Sequence, residues 1–370
     1  MSPLLSAALI VRDEERFLDG CLASLAGRVD EVVIVDTGST DRSRDIARSH
    51  GARLIEARWS GDFSAVRNVG LEAARGDWIL YLDADERVVE FDRAAVAALC
   101  ADRAFVAYTV LFRPVTGYTR YREFRLFRNR RDVRFTGLIH ETVLPDLEAL
   151  RARRGLRFGA STVAIDHYGY DGDQQHKHER NLPLLNARLA RDPHHVYSRD
   201  HLGRALLGLG DEAGAERAFR AAIDSVRASP SDASVDSLPF LHLASLLLER
   251  NRDAAGVLDE GCRRFPDNHA LTWLRARALV QAGRYGDALP LFRGLTGVDV
   301  DGCPDARMAY DASIFGASAH AAMGLCALKL GRHAESAAHY ARAEALAPGD
   351  LEIRTKRQWV TTLAARGPGS

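Results

Sequence analysis

The residues best suited to chemistry follow an apolar run. Trp78-Ile79-Leu80-Tyr81-Leu82 has the length of a buried strand and stops abruptly at Asp83-Ala84-Asp85-Glu86. Open parallel sheets keep their ligand crevices at the C-terminal lip of the strands. Residues two apart on an extended chain share a side, so Asp83 and Asp85 are expected to face one divalent cation. Carboxylate oxygens are hard ligands and suit Mg2+ or Mn2+. Alone, the pattern is weak evidence and fits a plain solvated acidic turn better than a metal site, so the elements around it must decide.

Those elements alternate. Leu4–Val11 is a short continuous apolar run, as in a buried strand, and Phe17, Leu18, Cys21, Leu22 and Leu25 then recur at helical spacing. A second strand, Glu31–Val35, ends in Asp36-Thr37-Gly38-Ser39-Thr40-Asp41, where Gly38 permits a tight turn and Ser39 or Thr40 can cap the next helix. Ala52–Glu56 reads as a third strand and Phe63–Ala74 as a helix carrying Arg67-Asn68. Strands alternating with helices predict a parallel sheet with right-handed crossovers. Beyond it, Phe105–Phe112, Glu123–Phe127 and Ser161–His167 read as strands of a more irregular, antiparallel half. Leu138-Ile139-His140-Glu141 lies between them.

From about Asp173 the pattern is helical. Leu202–Leu209 pairs with Ala215–Ile223, Leu241–Leu248 with Ala254–Cys262, Leu274–Gln281 with Tyr285–Phe292, and Ala319–Leu330 with Ala334–Leu346. Small residues at helix crossings, turns at Gly210, Asn251, Gly283 and Gly331, and a closing Pro348 are the signature of tetratricopeptide-type hairpins. Val226–Ser237 and Thr296–Asp305 are the expected inserted loops. The domain plan is therefore residues 1–178 as an α/β domain, 179–195 as a linker helix, 196–360 as helical repeats and 361–370 as a disordered tail.

Bulk properties narrow the function classes. The 50 basic and 50 acidic residues cancel, so nothing draws the chain to nucleic acid or to an anionic membrane. Lys occurs only at positions 177, 329 and 356, so a single Arg carries little information here. The five cysteines are scattered without a Cys-x-x-Cys pair, against a zinc site or disulfide framework. Leu4–Val11 is too short to span a bilayer and has no basic leader. The expectation is a soluble, cytoplasmic protein.

The N-terminal part resembles family-2 glycosyltransferases of the GT-A fold. Four blocks carry the resemblance: Ile10-Val11-Arg12-Asp13-Glu14-Glu15, Val35-Asp36-Thr37-Gly38-Ser39-Thr40-Asp41, Phe63-Ser64-Ala65-Val66-Arg67-Asn68, and Gly76-Asp77-Trp78 through Asp85-Glu86. Asp13 departs from the family's usual Asn. The resemblance implies that Asp36 accepts the uracil N–H of a UDP-sugar, that Asp13 and Glu15 hold the nucleoside, and that Arg67 neutralises the diphosphate. It implies Asp83 as a ribose or metal contact and Asp85 as the direct metal ligand. The ion would offset charge on the departing UDP. Glu141 is expected to be the general base, with His140 touching donor or metal. Neighbours on an extended segment face opposite ways, so one of the two is expected outside the pocket. His167 is a candidate third metal or pyrophosphate ligand, or else a hydrogen-bonded core histidine. Tyr168 and Tyr170 can stack on sugar or base, or pack at the domain junction, and Lys177 is a candidate phosphate contact.

The whole arrangement is also similar to a narrower group in which such a domain is fused to tetratricopeptide-like helices. That group includes bacterial enzymes that glycosylate Cys or Ser of peptides such as glycocins. It rests on Ile139-His140-Glu141, His167-Tyr168-Gly169-Tyr170 and domain order. The function this implies is metal-dependent, inverting transfer of a hexose or N-acetylhexosamine to a peptide bound by the repeats. A saccharide, lipid-linked glycan or secondary-metabolite acceptor, with the helices serving dimerisation, is the second reading. A non-catalytic repeat scaffold is the third, and intact Asp36, Arg67, Asp83 and Asp85 oppose it.

Overall fold

The computed structural model describes residues 4–169, 174–229, 233–300 and 308–366. It divides into two compact units. One comprises Met1–Thr116 and Arg120–Pro193, the other His194–Cys303 and Met308–Ser370 together with Gly117–Thr119. Tyr170 lies outside the described residues.

The first unit is built on one sheet. Strands β1 (Leu5–Val11), β2 (Glu31–Asp36), β3 (Arg53–Glu56) and β4 (Trp78–Leu82) form its parallel half, in the order β3-β2-β1-β4. Helices α1 (Leu18–Leu25), α2 (Ser43–Ser49) and α3 (Phe63–Ala73) alternate with them. Both faces of β4 are covered, which is why its sequence is apolar throughout. Trp78, Leu80 and Leu82 join Leu9, Leu22 and Ile34 in one core, while Ile79 joins Ala8, Leu71 and Phe127 in another.

The remaining strands are β5 (Glu86–Glu90), β6 (Phe105–Pro114), β7 (Tyr121–Arg128) and β8 (Arg157–His167), and the sheet continues β4-β7-β6-β8-β5. β7 is antiparallel to β4 and β6, and β5 to β8, but β6 and β8 run parallel. This half is therefore mixed rather than antiparallel. Helix α5 (Leu144–Arg154) returns the chain between β7 and β8 so that β8 can lie parallel beside β6. β5 and α4 (Arg93–Ala101) were not legible. β5 is Glu-Arg-Val-Val-Glu, three charged residues around two valines with neither an apolar run nor an alternation, and α4 is announced only by Asp92, which accepts from the N–H groups of Ala94 and Ala95. The GT-A type α/β domain followed by an all-α repeat region is the fold observed.

Helix α6 (Gln174–Arg191) starts five residues before the expected linker helix. The second unit then holds α7 (Val196–Gly208), α8 (Glu212–Ala228), α9 (Leu238–Glu249), α10 (Ala255–Arg264), α11 (His269–Gln281), α12 (Tyr285–Thr296), α13 (Ala317–Lys329), α14 (His333–Leu346) and α15 (Leu351–Arg366). Gly210, Asn251, Gly283 and Gly331 each turn a hairpin with positive φ, a conformation that Gly and Asn adopt most readily. A Cβ on Gly203 would lie 2.4 Å from the Phe219 ring, and one on Gly324 would lie 2.8 Å from Tyr340, so glycine lets these helix pairs close. Because α15 runs to Arg366, residues 361–366 are helical, not part of a disordered tail. Buried Val360 anchors that turn. Among the described residues no helix is long and apolar enough to cross a membrane.

Candidate functional site

β4 delivers Asp83-Ala84-Asp85, but as a turn rather than an extended continuation. Glu86 closes that turn from inside. Its Oε2 accepts from Asp83 N–H at 2.9 Å, and its own N–H donates to Asp83 O at 3.1 Å. Glu86 is buried, and burial pushes its carboxyl up to about 8 although the Arg125 guanidinium lies 3.1 Å away. The turn thus rests on a buried acid whose role is structural.

Arg67 holds the next layer. Helix α3, capped by Asp62 accepting from Ala65 N–H, presents Arg67 where it is only 8% exposed. Its Nε donates to Glu141 Oε1 at 2.5 Å and its terminal nitrogen to Asp83 Oδ1 at 2.6 Å. Arg67 and Arg125 both lie over the Tyr81 ring, at 5.2 and 4.4 Å from its centroid. Burial opposes ionisation of Asp83, but Arg67 and Arg125 outweigh it and hold the carboxyl down at about 2. Arg67 is therefore engaged by two carboxylates.

Asp85 sits differently. Its Oδ2 lies 3.4 Å from His167 Nε2 at the end of β8. Burial works against a charged imidazole there, yet the hydrogen bond and charge of Asp85, with Glu86 and Asp83 behind it, raise the His167 pKa above its ordinary value. A Cβ on Gly169 would fall 1.5 Å from Asp85 Oδ2, so only glycine leaves this carboxylate its place.

At the lip of β1 the chain turns sharply, with Asp13 at φ 54°. Asn and Asp tolerate this left-handed conformation best, which explains why either can stand here. The turn aims Asp13 at the β2–α2 loop, where it accepts from Thr40 N–H at 2.6 Å, and Glu15 accepts from Arg42 N–H at 3.1 Å. Asp36 is buried and accepts from Gly38 N–H, Ser39 N–H and, at 2.7 Å, Arg44 Nε. Burial raises its pKa, but the hydrogen bonds from Ser39 and Arg44 leave it below the ordinary carboxylate range. All three acids are engaged at the β2–α2 connection.

A cavity of about 350 Å³ opens at this strand lip. Asp83, Asp85, His167, Arg67, His140, Glu141 and Lys177 line it, as do Thr37, Trp59 and Phe63. Asp13, Glu15 and Asp36 do not. His140 and Glu141 both reach it because His140 has φ 53°, so the segment is not extended and its neighbours are not forced to opposite faces.

Residues 6–156 match the glycosyl transferase family 2 profile and residues 246–306 a tetratricopeptide repeat profile. The chain carries a family 2 glycosyltransferase domain followed by tetratricopeptide repeats. A TPR repeat-containing protein of Synechococcus elongatus is 39% identical over 267 residues, covering 70% of this chain and 64% of that protein. The SPbeta prophage-derived glycosyltransferase SunS of Bacillus subtilis is 25% identical over 261 residues, 68% of this chain and 60% of SunS. The lipopolysaccharide core biosynthesis glycosyltransferase LpsC of Rhizobium meliloti is 32% identical over 168 residues, 41% of this chain and 61% of LpsC. The chain thus spans under two thirds of the length of each of these relatives.

Several residues of the transferase-domain cavity escaped sequence reasoning. Glu14 lines it where Asp13 and Glu15 do not, and Arg180 and Asn181 reach it from α6 beside Lys177. Burial, then the charges of Asp85 and Asp83, push the Glu14 carboxyl up to about 7, against the pull of Lys177. The Asn/Asp preference of a left-handed position 13 was the one signal that could have redirected attention to Glu14. Among the described residues, no three His, Cys, Asp or Glu side chains are arranged to hold a metal ion. Asp85 and His167 provide two donors, and Asp83 is engaged by Arg67. Two protein donors suit Mg2+ or Mn2+, which commonly keep their other positions for phosphate oxygens and water.

Proposed function

We propose that the transferase domain is an inverting enzyme that moves a hexose or N-acetylhexosamine from a UDP-sugar to a Cys or Ser side chain of a peptide. The observation that carries this reading is one cavity that gathers the cations Lys177 and Arg180, the donors Asp85 and His167, and the candidate base Glu141. A nucleoside diphosphate needs cations for its phosphates and an apolar surface for its base, which Ile10, Val11, Trp59 and Phe63 supply.

Asp85 and His167 would hold Mg2+ or Mn2+ together with the diphosphate, and that ion would supply Lewis-acid neutralisation of the leaving group. Lys177 and Arg180 stabilise the same negative charge as it develops. Arg67 positions Asp83 and Glu141 relative to one another. In the transfer, the acceptor oxygen or sulfur bonds to the sugar C1 as its proton passes to Glu141. The C1–O bond to the diphosphate breaks, and its electron pair stays on the phosphate oxygen. Repeat arrays expose long surfaces that bind peptide segments, which supports a peptide acceptor. The likeness of the domain to LpsC favours a saccharide acceptor as the second reading.

The test uses the full chain with UDP-glucose or UDP-N-acetylglucosamine, Mn2+ and candidate peptides. Release of UDP that disappears in Asp85→Asn, with peptide mass raised by one sugar, supports the proposal. Sugar on a saccharide with unmodified peptides replaces it by the second reading, and no UDP release with any donor sinks both. Full-rate transfer by Glu141→Gln would move the base to His140.

A further inference from the structure

The 50 basic and 50 acidic residues cancel over the whole chain, and that balance conceals a local excess. Residues 128–134 and 151–157 share one pattern, Arg-x-Arg-Arg-x-x-Arg. The first copy holds Arg128, Arg130, Arg131 and Arg134, the second Arg151, Arg153, Arg154 and Arg157, and Asp132 is the only acid in either. The fold lays the copies side by side. One leaves the end of β7, and the other runs from the last turn of α5 into β8. Asp132 bridges them, with Arg130 and Arg153 each at 2.7 Å. Arg128 donates to Asp102 O and Arg157 N–H to Ala104 O, both at 2.8 Å, which brings Arg103 to the same edge. Arg128 pairs with Trp78 at the start of β4, so this edge lies at the other end of that strand from Asp83.

Part of this has an ordinary structural explanation. Cations in the last turn of a helix offset its dipole, which accounts for one or two of Arg151, Arg153 and Arg154. Arg134 is turned back onto the carbonyls of Arg130 and Val133. Arg103, Arg131 and Arg154 remain. Each is exposed, and none has a carboxylate partner among the described residues. Arg157 lies over the Phe105 ring and has no carboxylate either. Like charges gathered without counter-charges repel one another, and a partner of opposite sign relieves that repulsion.

The aromatic rings at this edge narrow the choice of partner. Single-stranded nucleic acid is held by rings on which its bases stack. Here Arg128 covers Trp78, Arg151 covers Phe158 and Arg157 covers Phe105, with the guanidinium carbons 4.5 to 5.1 Å from the ring centroids. A layer of anionic lipid headgroups needs no ring or groove, only positive charge spread over a surface. We propose that this edge of the transferase domain docks on an anionic phospholipid surface. It is held by charge alone with no inserted segment, and the cavity lip at the far end of β4 stays open. The docking is independent of which donor and acceptor the cavity takes. Each exposed arginine close to such a surface contributes about fivefold in affinity, over a range of about a Debye length.

The test is co-sedimentation of the full chain with vesicles of phosphatidylcholine alone, and of phosphatidylcholine with phosphatidylglycerol at about three to one. Wild type should pellet with the second and not the first, and about 0.5 M NaCl should release it. Arg103→Gln, Arg131→Gln and Arg154→Gln together should weaken binding about 10²-fold with the unfolding midpoint unchanged. The same three positions changed to Lys keep the charge and should bind within about threefold of wild type. Arg217→Gln, Arg263→Gln and Arg277→Gln remove equal charge from exposed positions of the repeat unit and should cost less than about threefold. The proposal is overturned if wild type binds both vesicles alike, if the first glutamine variant binds as wild type does, or if the repeat-unit variant loses as much. Equal losses in the lysine and glutamine variants would also overturn it, because positive charge would then not be what binds. If wild type ignores both vesicles but retards an oligonucleotide through the same three arginines, the partner is nucleic acid and the lipid proposal falls.

Discussion

Asp83 and Asp85 are two residues apart in one turn, yet they occupy opposite electrostatic settings. Asp83 is met by Arg67 at 2.6 Å and by Arg125 at 3.8 Å, within a network that continues to Glu141 and Glu86. Asp85 has one imidazole at 3.4 Å, with a glycine clearing its space. The first side is saturated by the protein and is built for rigidity. The second is left with capacity to spare, and the unpartnered Glu14 lines the same cavity. A site that must bind an anionic donor keeps its fixed charges compensated where they support the fold, and uncompensated where the ligand completes them.

The sharpest way to break this contrast is to remove the cation from the saturated side. Arg67→Ala strips Glu141 of its ion pair and leaves Asp83 with Arg125 alone at 3.8 Å, and should cost about 3–5 kcal/mol in urea denaturation. A variant that unfolds like wild type would show the network to be ornamental. On the open side the effect should shift from stability to rate. Asp85→Asn is expected to lower UDP release about 10²–10³-fold while the unfolding midpoint stays within a few degrees. Equal stability losses in Asp85→Asn and Asp83→Asn would erase the distinction between the two carboxylates.

Gly169→Ala probes the space around Asp85. Its Cβ would collide with the carboxylate, so we expect a loss of about 1–3 kcal/mol in stability, or an equivalent displacement read as weaker Mn2+-dependent UDP binding. The smallest effect is in the pH profile. Asp83, depressed from 3.8 to about 2, contributes stability that is present above 3.8 and lost as the pH falls toward 2. Glu14, raised from 4.5 to about 7, holds a proton in the folded state that the unfolded chain has released, so stability declines as pH rises through that window. After solvent screening of a partly exposed group the decline should be about 1 kcal/mol. Glu14→Gln should flatten it between pH 4.5 and 7, and a profile unchanged by that substitution would remove Glu14 from the charged cluster.

Much of the architecture was legible because the signals are local. Buried parallel strands read as continuous apolar runs, and Leu4–Val11, Glu31–Val35 and Trp78–Leu82 sit within a residue or so of β1, β2 and β4. The four hairpins announced themselves through turn residues whose positive φ only Gly or Asn supplies cheaply. The irregular half resisted because charged β5 hides among acids and bases. The parallel pairing of β6 with β8 depends on a return helix, not on anything within either strand.

The cavity divides along the same line. By itself the sequence determined which strand end carries acids, that His140-Glu141 and His167 follow downstream, and that helical repeats come after. Composition and spacing along one chain are enough for that. Only the tertiary structure decided which acids line the cavity. Asp13 and Glu15 turned to the β2–α2 loop, Asp36 to that loop and Arg44, Arg67 to Asp83 and Glu141, and Glu14 to the cavity. The physical reason is that a side chain's direction at a turn is set by single backbone dihedrals, here φ 54° at Asp13 and 53° at His140, and by partners from strands and helices distant in sequence.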